Sequence, residues 1–380
     1  MVKQKAHRQS GPSDRPIAPP GWILGDCHIH SDASDGSFDP ETLRTLRRLH
    51  NHDFVCVTDH LDLIEAGYGW PDYVAALERD SSPSFTLCPG VEVTCAENAG
   101  DALGFGMPLT GLARVTNKAH TCADLIQALK KQGPFASAYI AHPGGGLGPI
   151  RWAVCGCGYD GVQIVNGLTA DDAQAEQIWL ESCTVHRETC QAAALGGSDA
   201  HKAFEPTGMG TWLYAPEWSI AATWEEKINA IAAALKAGQT IATEQGSFAL
   251  LRVEDGLPGA RLERPIRARI GYTVQLIARQ NELRAKVDWQ VVRTGKPLTG
   301  TVIDLATDKR EWSIGPLRAE VVSGLQSYYL VANFTYFDGD LPSDQDKVYC
   351  GPIYVTGVST PEAAIAEEAG VPEGPSSKPG

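Results

Sequence analysis

Between residues 22 and 245, short apolar runs alternate with stretches whose apolar residues recur at helical spacing. The helical stretches open at recognisable N-caps, such as Asp39 before Pro40 and Thr223 in a capping box with Glu226. Because short buried strands joined by helices form parallel sheets, this alternation predicts an α/β fold. The predicted strands are residues 22–24, 54–57, 85–87, 91–93, 138–141, 161–165 and 192–195.

Polar residues follow several of these strands at the point where each strand ends. His60 comes after the strand at 54–57, His142 ends the run at 138–141, and Asp199 follows the last strand. Parallel strands joined by crossovers gather such residues at one rim, as in barrel folds. The pattern therefore predicts a single polar pocket at the carboxyl ends of the strands.

The pair His28 and His30 stands at the end of the first apolar run. Residues two apart in a strand face the same side, so both imidazoles can reach one ion while Ile29 points into the core. Asp35, five residues further on, can curl back toward a neighbouring ion. Histidines that are merely packed or solvated share this spacing, so the pair is evidence for a metal site only together with the motifs downstream.

Beyond about residue 247 the helical spacing disappears, and apolar residues alternate with polar ones, as in residues 266–270. Short strands separated by Gly, Pro and Asp turns predict an all-β sandwich packed on a barrel. The predicted division of the chain is a disordered arm at 1–20, the barrel at 21–246, the β-sandwich at 247–358 and a flexible tail at 359–380.

Composition narrows the function classes. The 380 residues are 43% apolar and carry a formal net charge of −14. A chain this acidic, without clustered Lys and Arg, is a poor match for nucleic acid. No apolar run reaches the roughly 18 residues of a membrane span, and the N-terminus lacks the layout of a secretory signal. We therefore expect a cytoplasmic protein with reduced cysteines, no nucleic-acid or membrane partner, and a small anionic substrate; a homo-oligomer is left open.

Five motifs occur in order along residues 22–245: His28-Ile29-His30 with Ser34-Asp35-Gly36, Thr58-Asp59-His60, Gly90-Val91-Glu92, Ala141-His142-Pro143, and Gly197-Ser198-Asp199-Ala200-His201. In order and spacing they resemble the PHP family, named for polymerase and histidinol phosphatase. The resemblance implies a distorted (β/α)7 barrel with two or three divalent ions at the strand C-termini. Softer features resemble its carbaryl-hydrolase-like (CehA/McbA) branch; they are Val165-Asn166-Gly167 and the segments 235–240 and 351–355.

The resemblance also implies a ligand set for each ion. Asp101 stands where the family has a histidine, and a carboxylate there hardens the second site toward Mn, Fe or Mg rather than Zn. The identity of the ions is left open among Mn, Fe and Zn. The implied ligands are His28, His30, Glu92 and Asp199 for the first ion, Glu92, His142 and Asp101 for the second, and Asp35, His60 and His201 for the third.

Further roles are predicted around this centre. Glu92, which would bridge two ions, and His201 are predicted to be catalytic. Asp59 is predicted to join them as a hydrogen-bond acceptor that orients an imidazole. Backbone N–H groups of a glycine run can face an anion, which favours the run after His142 as a substrate site. The predicted substrate-binding residues are Asn166, Gly144 and Gly145.

The leading hypothesis is a metal-dependent hydrolase that cleaves a small phosphoester. Adjacent divalent ions lower the pKa of a shared water and neutralise charge that builds on the substrate's oxygens. An alternative keeps the same centre and changes the bond to a carboxylic or carbamate ester, which the branch resemblance permits. A third hypothesis is a non-catalytic metal-binding or interaction protein.

Overall fold

The computed structural model describes residues 18–95, 100–112, 121–143, 157–167, 172–202, 208–279, 284–305 and 310–359. Within these ranges the α-helices are α1 (Pro40–Leu49), α2 (Leu61–Gly67), α3 (Trp70–Asp80), α4 (Cys122–Lys130), α5 (Asp172–Thr184) and α6 (Trp224–Ala237). No helix in the described part of the chain is long and apolar enough to cross a membrane.

The strands fall into two groups along the chain. The N-terminal group comprises β1 (Trp22–Ile29), β2 (Phe54–Val57), β3 (Thr86–Thr94), β4 (Asp101–Phe105), β5 (Ser137–Ile140), β6 (Gly161–Asn166), β7 (Ala193–Gly197), β8 (Gly210–Tyr214) and β9 (Thr240–Thr243). The C-terminal group comprises β10 (Phe248–Val253), β11 (Arg261–Pro265), β12 (Arg269–Ile277), β13 (Arg284–Arg293), β14 (Lys296–Leu305), β15 (Glu311–Glu320), β16 (Gly324–Asp338) and β17 (Leu341–Val358).

The predicted α/β class is confirmed, and its framework is a large β-sheet. The sheet runs β14-β13-β16-β17-β9-β8-β1-β2-β3-β4-β5-β6-β7, with β11 beside β17, while β10, β12 and β15 form a second sheet. Pairing is parallel between β1, β2 and β3 and between β5, β6 and β7. β4, which the sequence analysis did not predict as a strand, runs antiparallel to both β3 and β5. The closed (β/α)7 barrel and the separate sandwich stay predictions.

The residues that follow β7, at one end of the large sheet, form backbone hydrogen bonds with the end of β1. The backbone N–H of Asp199 donates to the carbonyl of His28 at 2.7 Å, and the N–H of His30 donates to the carbonyl of Ala200 at 3.2 Å. The chain just after β7 is thereby held against the end of β1. Residues that lie far apart in sequence therefore meet at one place.

Local signals explain the helix boundaries. Asp39 caps α1 by accepting a hydrogen bond from the backbone N–H of Thr42 at 2.7 Å. Thr223 and Glu226 form the predicted capping box of α6, and Gly238 ends that helix at a φ of 68°. These predicted caps are confirmed. The sequence analysis did not predict α2 and α3, which lie between β2 and β3.

The two strand groups share both a sheet and a core. β17 pairs with β9 from Val348 to Cys350, so the large sheet continues across the predicted boundary at residue 247. One hydrophobic cluster contains Trp22 of β1 and Trp212 of β8 together with many residues of the C-terminal strands. Burying one large apolar side chain contributes about 1.5–3 kcal/mol. This packing stabilises β1, which carries His28 and leads directly to His30.

A buried ion pair joins α1 to β1. The Nε of Arg47 lies 3.0 Å from a carboxylate oxygen of Asp26, and the two side chains are 2% and 0% exposed. Arg47 also donates from Nη2 to the Oγ of Ser198 at 2.8 Å, and that hydroxyl donates to Asp26 at 2.6 Å. Ser198 directly precedes Asp199, so this network holds the chain that carries one predicted ligand.

We expect Arg47→Met to destabilise the protein by about 3–5 kcal/mol, because it keeps much of the side-chain volume but leaves a buried carboxylate without its cation. Arg48→Met, at an exposed position of the same helix, is the matched control and should change little. Urea unfolding followed by circular dichroism compares the two. Equal unfolding midpoints for both variants would show that the ion pair does not stabilise the fold.

Candidate metal centre

The predicted ligands converge at the ends of the N-terminal strands. His28 lies in β1 and His30 directly follows it, while His142 and Asp199 come two residues after β5 and β7. Glu92 lies within β3, where it pairs through a bridge with His60. Two groups have ligand atoms within 4.8 Å of one another: His28, Glu92, His142 and Asp199, and His30, Asp35, His60 and His201.

Four ligand atoms form a compact quartet. The Nε2 atoms of His28 and His30 lie 3.2 Å apart. The Oε2 of Glu92 lies 3.4 Å from the first nitrogen and 3.2 Å from the second, and the Oδ1 of Asp199 lies 3.3 Å from each. A tetrahedral ion with bonds of about 2.0–2.2 Å has ligand-to-ligand edges of about 3.3–3.6 Å. The quartet therefore has the dimensions of a four-coordinate metal site.

Glu92 presents its second oxygen to a second group. Its Oε1 lies 3.0 Å from the Nε2 of His142. That nitrogen is 3.8 Å from the Oδ2 of Asp199 and 3.9 Å from the Oδ2 of Asp101. Asp101 is thus near enough to share an ion with His142, although it belongs to neither of the two groups whose ligand atoms lie within 4.8 Å of one another. A carboxylate with one oxygen on each side has the arrangement that a bridging ligand requires.

A third group consists of Asp35, His60 and His201, with Asp35 at its centre. Its Oδ1 lies 3.4 Å from the Nε2 of His201 and 3.4 Å from the Nδ1 of His30, and its Oδ2 lies 3.6 Å from the Nε2 of His60. The Nδ1 of His201 is 2.8 Å from the carbonyl of Asp199, so this nitrogen carries the proton and Nε2 faces Asp35. His30 therefore contacts the first quartet through one nitrogen and the third group through the other.

Charge balance inside the centre shifts several pKa values. Burial alone would lower the pKa of an imidazole, but hydrogen bonds and charges from the neighbouring carboxylates outweigh it, so the pKa of His30 rises to about 10 and that of His142 to about 9. Burial would raise the pKa of Glu92, but His28 and its neighbours hold it well below its usual range. Protons on the imidazoles thus balance the carboxylates, and divalent cations could take over that role.

Asp59 does not orient an imidazole in the way the sequence analysis predicted. Its carboxylate accepts from the backbone N–H of Ser31 at 2.7 Å and from the hydroxyls of Ser31 and Ser34. Asp59 therefore fixes the loop after β1. The Oγ of Ser34 lies 3.5 Å from the Nδ1 of His30, so the effect of Asp59 on a ligand is indirect.

Asn166 stands beside a predicted ligand rather than at an open surface. It is 4% exposed, and its Nδ2 lies 3.3 Å from the Oδ2 of Asp199. A role in binding substrate stays a prediction, while its contact with Asp199 is a structural fact. The other two predicted substrate-binding residues, Gly144 and Gly145, lie outside the described residues.

The sequence analysis missed two buried polar residues behind the centre. Gln163 of β6 accepts from His28 and from the backbone of His142, and Asp26 binds Ser198. A signal existed for each, since a glutamine interrupts the apolar run of β6 and an aspartate stands inside the apolar segment that leads to His28. Their partners lie up to 172 residues away, so the signal could not show what they bind.

The raised imidazole pKa values predict that the metal-free protein loses stability in alkali. Because His30 and His142 hold a proton more tightly in the folded chain than in the unfolded chain, their protonation stabilises the folded state. This stabilisation is complete below the ordinary imidazole pKa of 6.5, and it disappears as the pH rises through about 9 and 10. The melting temperature of the chelator-treated protein should therefore fall between pH 6.5 and 10. Differential scanning fluorimetry measures it.

The matched comparison for this pH dependence is His142→Gln against His186→Gln, which replaces a histidine outside the centre. Removing His142 should make the alkaline decline shallower, and removing His186 should not. Adding a divalent ion should flatten the wild-type curve, because the cation replaces the protons. A melting temperature that stays constant over this range without metal would contradict the charge balance described above.

Comparison with known proteins gives distant structural matches. No family model and no curated protein matches the chain. A two-domain protein from Bacteroides vulgatus that contains a predicted PHP-like metal-dependent phosphoesterase is 16% identical, with 92% of this chain and 99% of that one aligned at a TM-score of 0.47. A candidate metal-dependent phosphoesterase from Bifidobacterium adolescentis is 17% identical, with 47% and 87% aligned at 0.34.

A third solved structure is an amidohydrolase from Chromobacterium violaceum with bound sulfate. It is 17% identical, with 47% of this chain and 87% of that one aligned at a TM-score of 0.31. These solved structures thus include one protein that contains a predicted PHP-like metal-dependent phosphoesterase and one candidate metal-dependent phosphoesterase. Since all three TM-scores lie below 0.5, the chemistry of this chain has to follow from its own residues.

Proposed function

We propose that this chain is a metal-dependent hydrolase that cleaves a small-molecule phosphoester at a di- or trinuclear centre. The observation that carries the proposal is the position of Glu92. One of its oxygens completes a quartet of tetrahedral dimensions, and the other lies 3.0 Å from His142. Two ions held on either side of one carboxylate would lie close together, as two-metal hydrolysis requires.

The donor set suits divalent ions. Imidazoles and carboxylates bind Mn, Fe and Zn, and the carboxylate of Asp101 favours a harder ion beside His142. Divalent ions in these groups would supply positive charge for the substrate and lower the pKa of a nucleophilic water. The first ion would be held by His28, His30, Glu92 and Asp199, the second by Glu92, His142 and Asp101, and the third by Asp35, His60 and His201.

The exposure of the ligands supports an approach of the substrate from one side of the centre. The histidines of the first quartet are fully buried, whereas the side chains of Asp35, His60 and His201 are 45%, 25% and 23% exposed. Solvent therefore reaches the centre past the third group, and to a lesser extent past His142 and Asp101, whose side chains are 17% and 18% exposed. Its carboxylate would repel a phosphoester, so binding of an anionic substrate on this side should depend on cations.

The protein's own residues would prepare the reaction by fixing geometry. Glu92 holds the two inner groups together, and Asp59 fixes the loop from Ser31 to Ser34 that leads to Asp35. The carbonyl of Asp199 sets the tautomer of His201. Held in this way, ligand atoms need little reorganisation when substrate binds, which lowers the cost of reaching the transition state.

We expect Glu92→Gln to lower kcat/KM for p-nitrophenyl phosphate by at least about 100-fold, more than the loss of a residue that only supports a ligand. Glu65→Gln, at an exposed position of α2, is the matched control. Activity is measured after reconstitution with Mn, Fe or Zn.

A panel of substrates tests whether the enzyme cleaves phosphoesters or carboxylic and carbamate esters. Aryl carboxylic and carbamate esters are assayed beside p-nitrophenyl phosphate and nucleotides, with each metal. Faster turnover of the carboxylic or carbamate esters would replace the phosphoester proposal by the ester alternative. Absence of bound metal and of hydrolysis under every condition would eliminate both enzyme hypotheses.

Asp101→Ala should lower the metal content by about one ion per chain while the first quartet stays loaded, because the Asp101 carboxylate lies 3.9 Å from His142, which is not part of that quartet. Asp101→His should restore that ion and shift its preference toward Zn. Inductively coupled plasma mass spectrometry counts the ions, with Asp62→Ala, at an exposed position of α2, as the control. Unchanged metal content and rate in Asp101→Ala would show that Asp101 is not a ligand.

A further inference from the structure

Gln163 is a buried polar residue in the middle of an apolar strand. Its side chain is 0% exposed, and its neighbours in β6, Val162 and Ile164, belong to the hydrophobic core. Burying a carboxamide costs free energy unless both of its ends form hydrogen bonds. The four partners of Gln163 therefore indicate what this residue does.

Each end of the carboxamide has two partners. The Oε1 lies 2.8 Å from the Nδ1 of His28 and accepts from the backbone N–H of His142 at 3.1 Å. The Nε2 donates to the carbonyl of Gly197 at 3.2 Å and to that of Val165 at 3.4 Å. One side chain thus connects β6 to β1, to the chain after β5 and to the end of β7.

These partners determine which nitrogen of His28 carries the proton. Carbonyl oxygens only accept, so the end of Gln163 that faces Gly197 has to be the NH₂ group. The other end is then an oxygen, which can only accept from the Nδ1 of His28. The neutral imidazole is therefore protonated at Nδ1, and the lone pair of Nε2 points to Glu92 and Asp199, where a metal ligand needs it.

The same oxygen holds a second ligand in an unusual backbone conformation. His142 has a φ of 20°, a positive value that non-glycine residues rarely adopt. Such strain persists only where surrounding contacts determine the conformation. The hydrogen bond from the N–H of His142 to Gln163 is a contact of this kind, and it lies at the point where the chain leaves β5.

We propose that Gln163 is a positioning residue that fixes the Nδ1–H tautomer of His28 and the backbone of His142, and thereby aims two ligands into the metal centre. This inference rests on the proposed metal-dependent function. It assigns to β6 a role that neither the motifs nor the predicted ligand set contains.

A neutral amide suits this position better than a carboxylate. Metal-binding histidines usually donate their second N–H to a carboxylate, a carbonyl or water. A carboxylate at residue 163 would accept from His28 but could not donate to Gly197. It would also add negative charge close to Glu92 and Asp199, which are already buried together.

Metal binding to the chelator-treated protein gives the first test. Gln163→Leu should weaken Mn²⁺ binding about 10–100-fold by isothermal titration calorimetry. Val162→Ala, a buried substitution in the same strand, is the control for general loosening of β6 and should weaken binding less than threefold. Gln163→Glu restores the acceptor for His28 but not the donor to Gly197, and it should recover part of the lost affinity. Equal affinities for Gln163→Leu and wild type would overturn the proposal.

The tautomer of His28 gives a second test that needs neither metal nor substrate. Nitrogen-15 NMR of histidine-labelled, metal-free protein at alkaline pH should show His28 as the Nδ1–H form in wild type and Gln163→Glu, and as a mixture in Gln163→Leu. The signal of His28 is identified by its loss in His28→Gln. An Nε2–H form in the wild type would overturn the proposal even if Gln163→Leu fails to fold.

The two readouts separate this inference from the proposed function. A wild type that binds no metal but shows the Nδ1–H tautomer would contradict the metal-dependent function and leave the hydrogen bond established. A wild type that binds and hydrolyses normally, with Gln163→Leu unchanged in both readouts, would contradict only the role of Gln163.

Discussion

Two carboxylates buried side by side are the constraint on which the rest of the structure depends. Glu92 and Asp199 are 2% and 7% exposed, and such groups cost several kcal/mol each unless cations or protonated partners accompany them. Their partners come from β1 and from the chain after β5, so strands far apart in sequence have to meet. The return of the chain after β7 onto β1 satisfies this requirement through hydrogen bonds of the backbone.

A layer of buried polar contacts stands behind the ligands and keeps them in place. Asp26 and Arg47 hold Ser198, the residue before Asp199, and Asp59 holds the loop that leads to Asp35. Each of these side chains is almost fully buried, so its hydrogen bonds are exchanged for water only at a high cost. The centre is thus supported from the protein interior, while its most exposed group faces solvent.

The C-terminal strands contribute to this arrangement through packing. β17 extends the large sheet beyond β9, and the shared hydrophobic cluster includes residues of β1 and β8. Apolar burial is not directional, so it stabilises the position of β1 without determining the orientation of His28 and His30. Orientation comes from the polar contacts of the two side chains, such as those of His28 with Gln163 and of His30 with Asp35.

The sequence by itself determined the α/β class, the helix caps and the residues from which a metal centre could be built. Strand spacing and caps are local, since they act over one to four residues, and a pair such as His28 and His30 can be recognised from them. The helices α2 and α3 were not predicted from the sequence. The strand β4 was not predicted either, and its antiparallel direction could not be, because alternation of apolar runs does not record strand direction.

Only the tertiary structure decided how these residues are grouped and supported. It placed His30 between two groups, turned Asp59 toward a loop rather than an imidazole, and brought Gln163 to His28 from 135 residues away. Hydrogen bonds depend on distances of a few tenths of an ångström between side chains on different strands. No pattern along one chain contains those distances, because they arise only when the sheet brings its strands together.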